Sequence, residues 1–178
     1  MNDLTLARVT AADEEAIAEY RAAFPAERAR VTLEPERIPG LDRLEAFADV
    51  AAWLAFTRTM AGRISWYALR HAGEKRILGM ICLRHSLADD DDEGDFASHV
   101  GYSVRPDARR RGHASAMLKL LLPEARGVGI GSLRIICMAD NTASRRTILR
   151  CGGVYLDAMT GEESGLTVLR YDLPTEIG

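Results

Sequence analysis

The chain has 178 residues, 47% of them hydrophobic and 28% charged, with a formal net charge of −3 and a pI near 5.8. This is one domain able to bury its own core, and the balance excludes a disordered chain. It also argues against general binding to nucleic acid or to membrane surfaces, which favours basic proteins. No stretch is long and apolar enough to suggest a transmembrane helix, and Met1-Asn2-Asp3-Leu4 lacks the charged and apolar regions of a secretory leader. Cys82, Cys137 and Cys151 form an odd, sparse set without a Cys-x-x-Cys pair. Free thiols, a reducing cytoplasmic setting and no metal site are expected.

Taken in chain order, Leu4–Val9 reads as a first strand, and Asp13 caps a helix to about Phe24 with Ile17 and Tyr20 at helical spacing. Pro25, Pro35 and Pro39 make residues 25–40 a loop or broken helix. Leu44, Phe47, Ala48, Ala51, Leu54 and Ala55 form one stripe and predict a second helix over Leu41–Met60. Ile64–Arg70 and Ile77–Arg84 read as a hairpin around Ala72-Gly73-Glu74. A polar connection with the acidic run Asp89–Glu93 leads to a strand over Val100–Val104, stopped by Arg105-Pro106. Gly112–Ala125 is a helix whose last turn Pro123 should kink or weaken. Leu133–Met138 has the near-continuous apolar character of a central buried strand. A short helix over Asn141–Cys151 ends at Gly152-Gly153, and Val154–Ala158 and Leu166–Leu173 close the sheet. The order β-α-α-β-β-β-α-β-α-β-β indicates an α/β (α+β) domain on a mixed, mostly antiparallel sheet.

The stretch Val100-Gly-Tyr-Ser-Val104-Arg-Pro-Asp-Ala-Arg109-Arg-Arg-Gly112-His-Ala114 carries chemistry. A strand runs into a loop that opens a helix, whose first amides have no intrahelical partner and whose dipole favours negative charge. Gly112 permits close approach to the backbone, Ala114 keeps the first turn small, and three arginines sit at the same end. Together they describe a phosphate or pyrophosphate pocket. The bland alternatives are a solvated basic loop or a nucleic-acid contact.

These residues resemble the GNAT superfamily of acyl-CoA-dependent N-acyltransferases. Arg109-Arg110-Arg111-Gly112-His113-Ala114 matches that family's phosphate loop, (Gln/Arg)-x-x-Gly-x-(Gly/Ala), and Asn141-Thr-Ala-Ser144 followed by Gly152-Gly153 matches its downstream Asn helix. The resemblance spans about residues 64 to 173. It implies acetyl-CoA as co-substrate, a small-molecule or amino-acid-like primary amine as acceptor, and no metal. It places the pyrophosphate on the amides from Arg109 to Ala114. The pantetheine arm is expected along the backbone of Tyr102, Ser103 and Val104, with Asn141 and Ser144 also at the cofactor. Asn141 reads equally as a helix N-cap. A homodimer is compatible with this resemblance.

The sequence departs from the family pattern at two points. The position of the usual strand-borne Glu base falls on Ser98, beside His99. His99 is the substitute by chemistry, since an unperturbed His titrates near pH 6.5; the alternatives are a structural histidine bonded across the sheet, or Asp95 as the base. The usual Tyr acid falls on Ile148, leaving Tyr155 and Cys151 as nearby donors, with Cys151 also readable as a small core residue. Without a Glu and a Tyr, a non-catalytic acyl-CoA-binding domain is the competing reading. Trp53 and Phe56 read as core or as an acceptor wall, and the acidic run as a solvated connection or an attractor of cationic acceptors.

Overall fold

A computed structural model describes residues 3–24, 37–89, 96–161 and 165–176. Pro25, Pro35, Asp95 and the acidic run beyond Asp89 lie outside them. The strands are β1 (Leu4–Arg8), β2 (Ile64–His71), β3 (Gly79–Arg84), β4 (Val100–Val104), β5 (Ser132–Met138), β6 (Val154–Thr160) and β7 (Thr167–Pro174); the helices are α1 (Glu14–Ala22), α2 (Val50–Thr59), α3 (His113–Gly127) and α4 (Thr142–Arg150). Their order is the one the sequence predicts.

The seven strands form two antiparallel sheets, β1-β2-β3-β4 and β5-β7-β6. Among the described residues two apolar clusters form the core. One packs α3 and Ile148 of α4 between the two sheets, around Met117, Leu121, Leu133, Ile135 and Tyr171. The other packs α1 and α2 on the opposite face of the first sheet, around Tyr20, Leu41, Trp53, Trp66 and Met80. Trp53 is fully buried and meets Trp66 edge-on at 5.8 Å, so it belongs to the core rather than to an acceptor wall.

Two predicted elements differ. The helix expected over Leu41–Met60 begins only at Val50, where the Asp49 side chain accepts from the Ala52 amide. Arg43 is left-handed at φ 67° and Phe47 is extended, so Leu44 is buried from a short 3-10 turn. The apolar stripe is real but its first half is not helical. The strand expected at the centre of a sheet, β5, is instead an edge strand with alternating burial. Its inward residues Leu133, Ile135 and Cys137 are core, while Arg134, Ile136 and Met138 face the other way. Pro123 does not end α3, which continues to Gly127.

Candidate active site

β4 and β5 start together and then part. At the shared end the His99 amide donates to the Arg134 carbonyl at 2.9 Å, and the Arg134 amide donates to His99 Nδ1 at 2.8 Å. The buried Ser98 hydroxyl adds to this junction, lying 3.0 Å from the Val100 carbonyl and 3.3 Å from that of Arg134. Beyond the junction there is no ladder between the two strands, so they diverge in the same direction as two unpaired edges.

The polarity of these edges follows from the pairing. Arg84 donates to the His99 carbonyl and Arg105 to that of Leu78, so Gly101 and Ser103 turn their backbone groups toward β3. The N–H groups of Tyr102 and Val104 therefore face the gap. On the opposite edge the β5–β7 register turns the backbone of Ile136 and the N–H of Met138 into the same gap. The expectation that Ser103 pairs with a pantetheine arm is corrected here, because its backbone groups are committed to β3. Its hydroxyl donates to the Pro39 carbonyl at 2.6 Å and meets the Tyr20 hydroxyl at 3.0 Å. Burial pushes the Tyr20 phenol far above its ordinary range, keeping it neutral in this contact.

At the wide end the chain leaves β4 and enters the loop before α3. Arg110 is left-handed at φ 59°, and Gly112 is the N-cap of α3 at φ 82°. The amides from Arg110 to Ser115 have no backbone carbonyl partner among the described residues. Gly112 is exposed, and a Cβ there would meet nothing within 4 Å, so the approach to these amides is open. Exposed, unused first amides of a long helix form a cradle with the chemistry to accept an anion. Arg110 and Arg111 are exposed beside it. Arg109 folds back instead, its Nε donating to the Val104 carbonyl at 3.2 Å and its guanidinium lying over Phe24. His113 is buried, Nδ1 donating to the Ala108 carbonyl at 2.9 Å, so only its backbone faces the cradle. Ala114 is half-buried in the first turn.

Asn141 caps α4, its side-chain oxygen accepting from the Ser144 amide at 3.0 Å. The Ser144 hydroxyl meets the Tyr102 hydroxyl at 2.7 Å. Tyr102 thus spans from β4 to α4, on the face away from α1 and α2. Burial raises the pKa of its phenol well above the usual range, so it is a donor rather than a phenolate at neutral pH.

Of the two catalytic candidates, Tyr155 is not brought to the gap. It lies on β6, separated from β5 by β7, which is about 10 Å at ordinary strand spacing. It is half exposed and packs edge-on against Tyr171. Cys151 ends α4 and points its thiol at the Ser115 carbonyl, 3.7 Å away. His99 is at the closed end of the gap, but its Nδ1 accepts a backbone N–H, which fixes the hydrogen of the neutral ring on Nε2. Protonation at Nδ1 would break that bond. The His99 pKa is lowered, first by burial and then by the Arg134 guanidinium. The geometry therefore makes His99 a side-chain rung that closes the two sheets, rather than a base.

A pH dependence follows with a definite sign. A histidine with a folded pKa below its unfolded value stabilises the fold fully above about pH 6.5 and loses that contribution as the pH falls toward the folded value. The melting temperature is expected to drop from pH 7.5 to pH 5.5, and the drop to shrink in His99→Gln. An equal drop in both proteins would remove His99 from the account.

Asp42 was not legible from the sequence. The segment 38–42 crosses the α1–α2 face of β3 and β4, and Gly40, at φ 87°, is pressed onto the Met80 carbonyl. This brings Asp42 to Arg84 Nη2 at 2.6 Å and to Cys82 Sγ at 2.8 Å, while Arg84 Nη1 also donates to the Ser98 carbonyl at 3.0 Å. No local pattern marks Asp42, because its partners lie on strands about 40 residues away. The only available signal was an acidic residue inside an apolar stripe.

A family model described as an acetyltransferase (GNAT) domain matches residues 3–154. Among curated proteins, none matches the chain in sequence. Solved structures share the fold. The ribosomal L7/L12 alpha-N-protein acetyltransferase RimL, in complex with coenzyme A, has a TM-score of 0.72 at 16% identity, covering 98% of this chain and 95% of that one. The microcin C7 self-immunity acetyltransferase MccE, in complex with acetyl-CoA and AMP, has a TM-score of 0.68 at 15% identity, covering 98% and 93%. RimJ of Mycobacterium smegmatis, in complex with CoA-disulfide, has a TM-score of 0.69 at 18% identity, covering 96% and 81%.

Proposed function

The chain belongs to the GNAT acetyltransferase family, and on that premise we propose that it moves the acetyl group of acetyl-CoA to a primary amine of a small or amino-acid-like acceptor, by direct attack in a ternary complex. The observation that carries this reading is the joining of two features: two diverging strand edges, and a free-amide cradle at their wide end. Neighbouring folds with coenzyme A or acetyl-CoA in complex support it.

In this reading the pyrophosphate rests on the amides from Arg110 to Ser115, with Arg110 and Arg111 supplying charge. The amide-bearing arm pairs with Tyr102 and Val104 as an added strand would. A gap-facing N–H of β4 polarises the thioester carbonyl and stabilises the oxyanion. The acceptor enters from the α1–α2 side. There Pro39 and Tyr20 cover Ser103, which favours a slender amine-bearing chain. An alkylammonium with a pKa of about 10 must lose a proton before it attacks. Holding both substrates in line supplies much of the remaining acceleration.

The test is thermal melting with acetyl-CoA, coenzyme A and dephospho-CoA, followed by thiol release with a panel of small amines, amino acids and short peptides. A ligand at 100 times its Kd adds about 2.7 kcal/mol of stability, a shift of several degrees. No shift with any of the three overturns the proposal. A shift without turnover on any amine leaves acyl-CoA binding without catalysis.

A further inference from the structure

β4 offers no carboxylate on the face from which the acceptor enters. Gly101 and Ser103 stand there, and Ser98 is tied into the junction. We propose that Asp42 is the proton acceptor for the incoming amine, delivered by the segment between α1 and α2 instead of by the strand. The inference rests on the acetyltransferase reading above.

The two oxygens of Asp42 are used unequally. Oδ2 accepts from Arg84 at 2.6 Å and from the Cys82 thiol at 2.8 Å. Oδ1 has Arg37 Nε at 3.8 Å, beyond hydrogen-bond distance. A carboxylate has about four acceptor sites, so Oδ1 retains capacity. It lies 3.5 Å from the point where a Cβ on Gly101 would sit. Gly101 is half-buried and immediately precedes Tyr102, whose N–H faces the gap. The same point lies 3.3 Å from Cys82 Sγ and 3.4 Å from the Gly40 nitrogen, so the missing side chain of Gly101 leaves a space about the size of one small group beside Oδ1, one residue from the gap-facing backbone.

The carboxylate is also held in place. Asp42 is 5% exposed, and Trp53 Nε1 donates to its backbone carbonyl at 3.0 Å. Arg84 fixes Oδ2 and keeps the buried charge paired, a role in which removal of either partner alone is costly. Burial pushes the Cys82 thiol far above its ordinary pKa, so it remains a neutral donor to Asp42.

The proton count closes. The ammonium gives one proton to Oδ1, directly or through one water, and the freed lone pair forms the C–N bond at the acetyl carbon. The C–S bond breaks and the sulfur leaves with the electron pair. The second proton passes from the acylated nitrogen to that sulfur, giving the thiol. Asp42 returns its proton to solvent as the amide departs.

The experiment compares wild type, Asp42→Asn and the double variant Asp42→Asn/Arg84→Met. Each is scored for the acetyl-CoA melting shift and for thiol release with the fastest alkylamine of the panel and with hydroxylamine, which is unprotonated at neutral pH. Asp42→Asn is expected to keep the acetyl-CoA shift, to lose about 100-fold or more with the alkylamine, and to lose far less with hydroxylamine. The double variant removes both buried charges, so it carries the test if the single one does not fold, and it is expected to stay deficient with the alkylamine. Equal losses with the two nucleophiles, or alkylamine activity restored in the double variant, would mean that Asp42 only neutralises Arg84, and would overturn the proposal. A wild type that shows no acetyl-CoA shift, or binds it and acylates no amine, fails the acetyltransferase reading itself.

Discussion

Gly112→Val is expected to weaken acetyl-CoA binding by at least about 100-fold, measured by calorimetric titration, while backbone strain lowers the melting temperature of the free protein by only several degrees. Gly112 holds φ 82° at the start of α3, a conformation that a β-branched residue adopts only under strain. A Cβ there meets nothing within 4 Å, so the protein itself is not clashed. The substitution instead fills the approach to the amides from Arg110 to Ser115 and tilts them away from a common centre. Losing two charge-assisted hydrogen bonds at about 1.5–3 kcal/mol each gives the stated factor. Gly112→Ala should fall between wild type and Gly112→Val. An unchanged Kd in Gly112→Val would place the phosphates elsewhere.

Gly40→Ala should act on the fold. Its Cβ would sit 2.5 Å from the Met80 carbonyl oxygen and 2.7 Å from the carbonyl carbon, on top of a positive φ. Neither atom can give way, because both belong to β3, the strand between β2 and β4. The segment 38–42 must lift instead. That disturbs the buried Leu41, the Trp53 bond to the Asp42 carbonyl and the Ser103 bond to Pro39. Overpacking and strain together cost roughly 3–5 kcal/mol, or a fall in melting temperature on the order of 10 °C. A variant that melts like wild type would mean the segment docks more loosely than described.

What the sequence disclosed was what local chemistry dictates. The order of the eleven elements, the strand Val100–Val104, the N-cap Asn141 and the left-handed end at Gly152 all follow from short-range patterns of capping, periodicity and turn residues. The free amides at the start of α3 were legible for the same reason, since a strand, a glycine and a helix start are contiguous. The failures share the opposite property. The first half of the Leu41–Met60 stripe is apolar because the core needs Leu44, and tertiary burial imposes no helical backbone. Tyr155 is four residues from Cys151 in the chain, yet the sheet order β5-β7-β6 carries it two strands from the gap. Asp42 and Arg84 are 42 residues apart and meet only through the docking of 38–42 on β3. Proximity created by topology leaves no mark on spacing.

The junction at His99 and Arg134 also bears on association between molecules. An edge strand with free N–H and C=O groups is a template for pairing with another chain, and this molecule carries two such edges side by side in β4 and β5. Because the strands are joined at one end and part toward the other, the space between them is wedge-shaped. A foreign strand needs a slot of constant width to pair along its length, so it cannot run its ladder to the closed end. An extended ligand only a few bonds wide can. Hydrogen exchange at Tyr102, Val104 and Ile136 should therefore be fast in the free protein and slow once the wedge is filled, while Leu133 and Ile135, paired with β7, should be protected throughout. The device that exposes backbone to a small ligand also denies it to neighbouring chains.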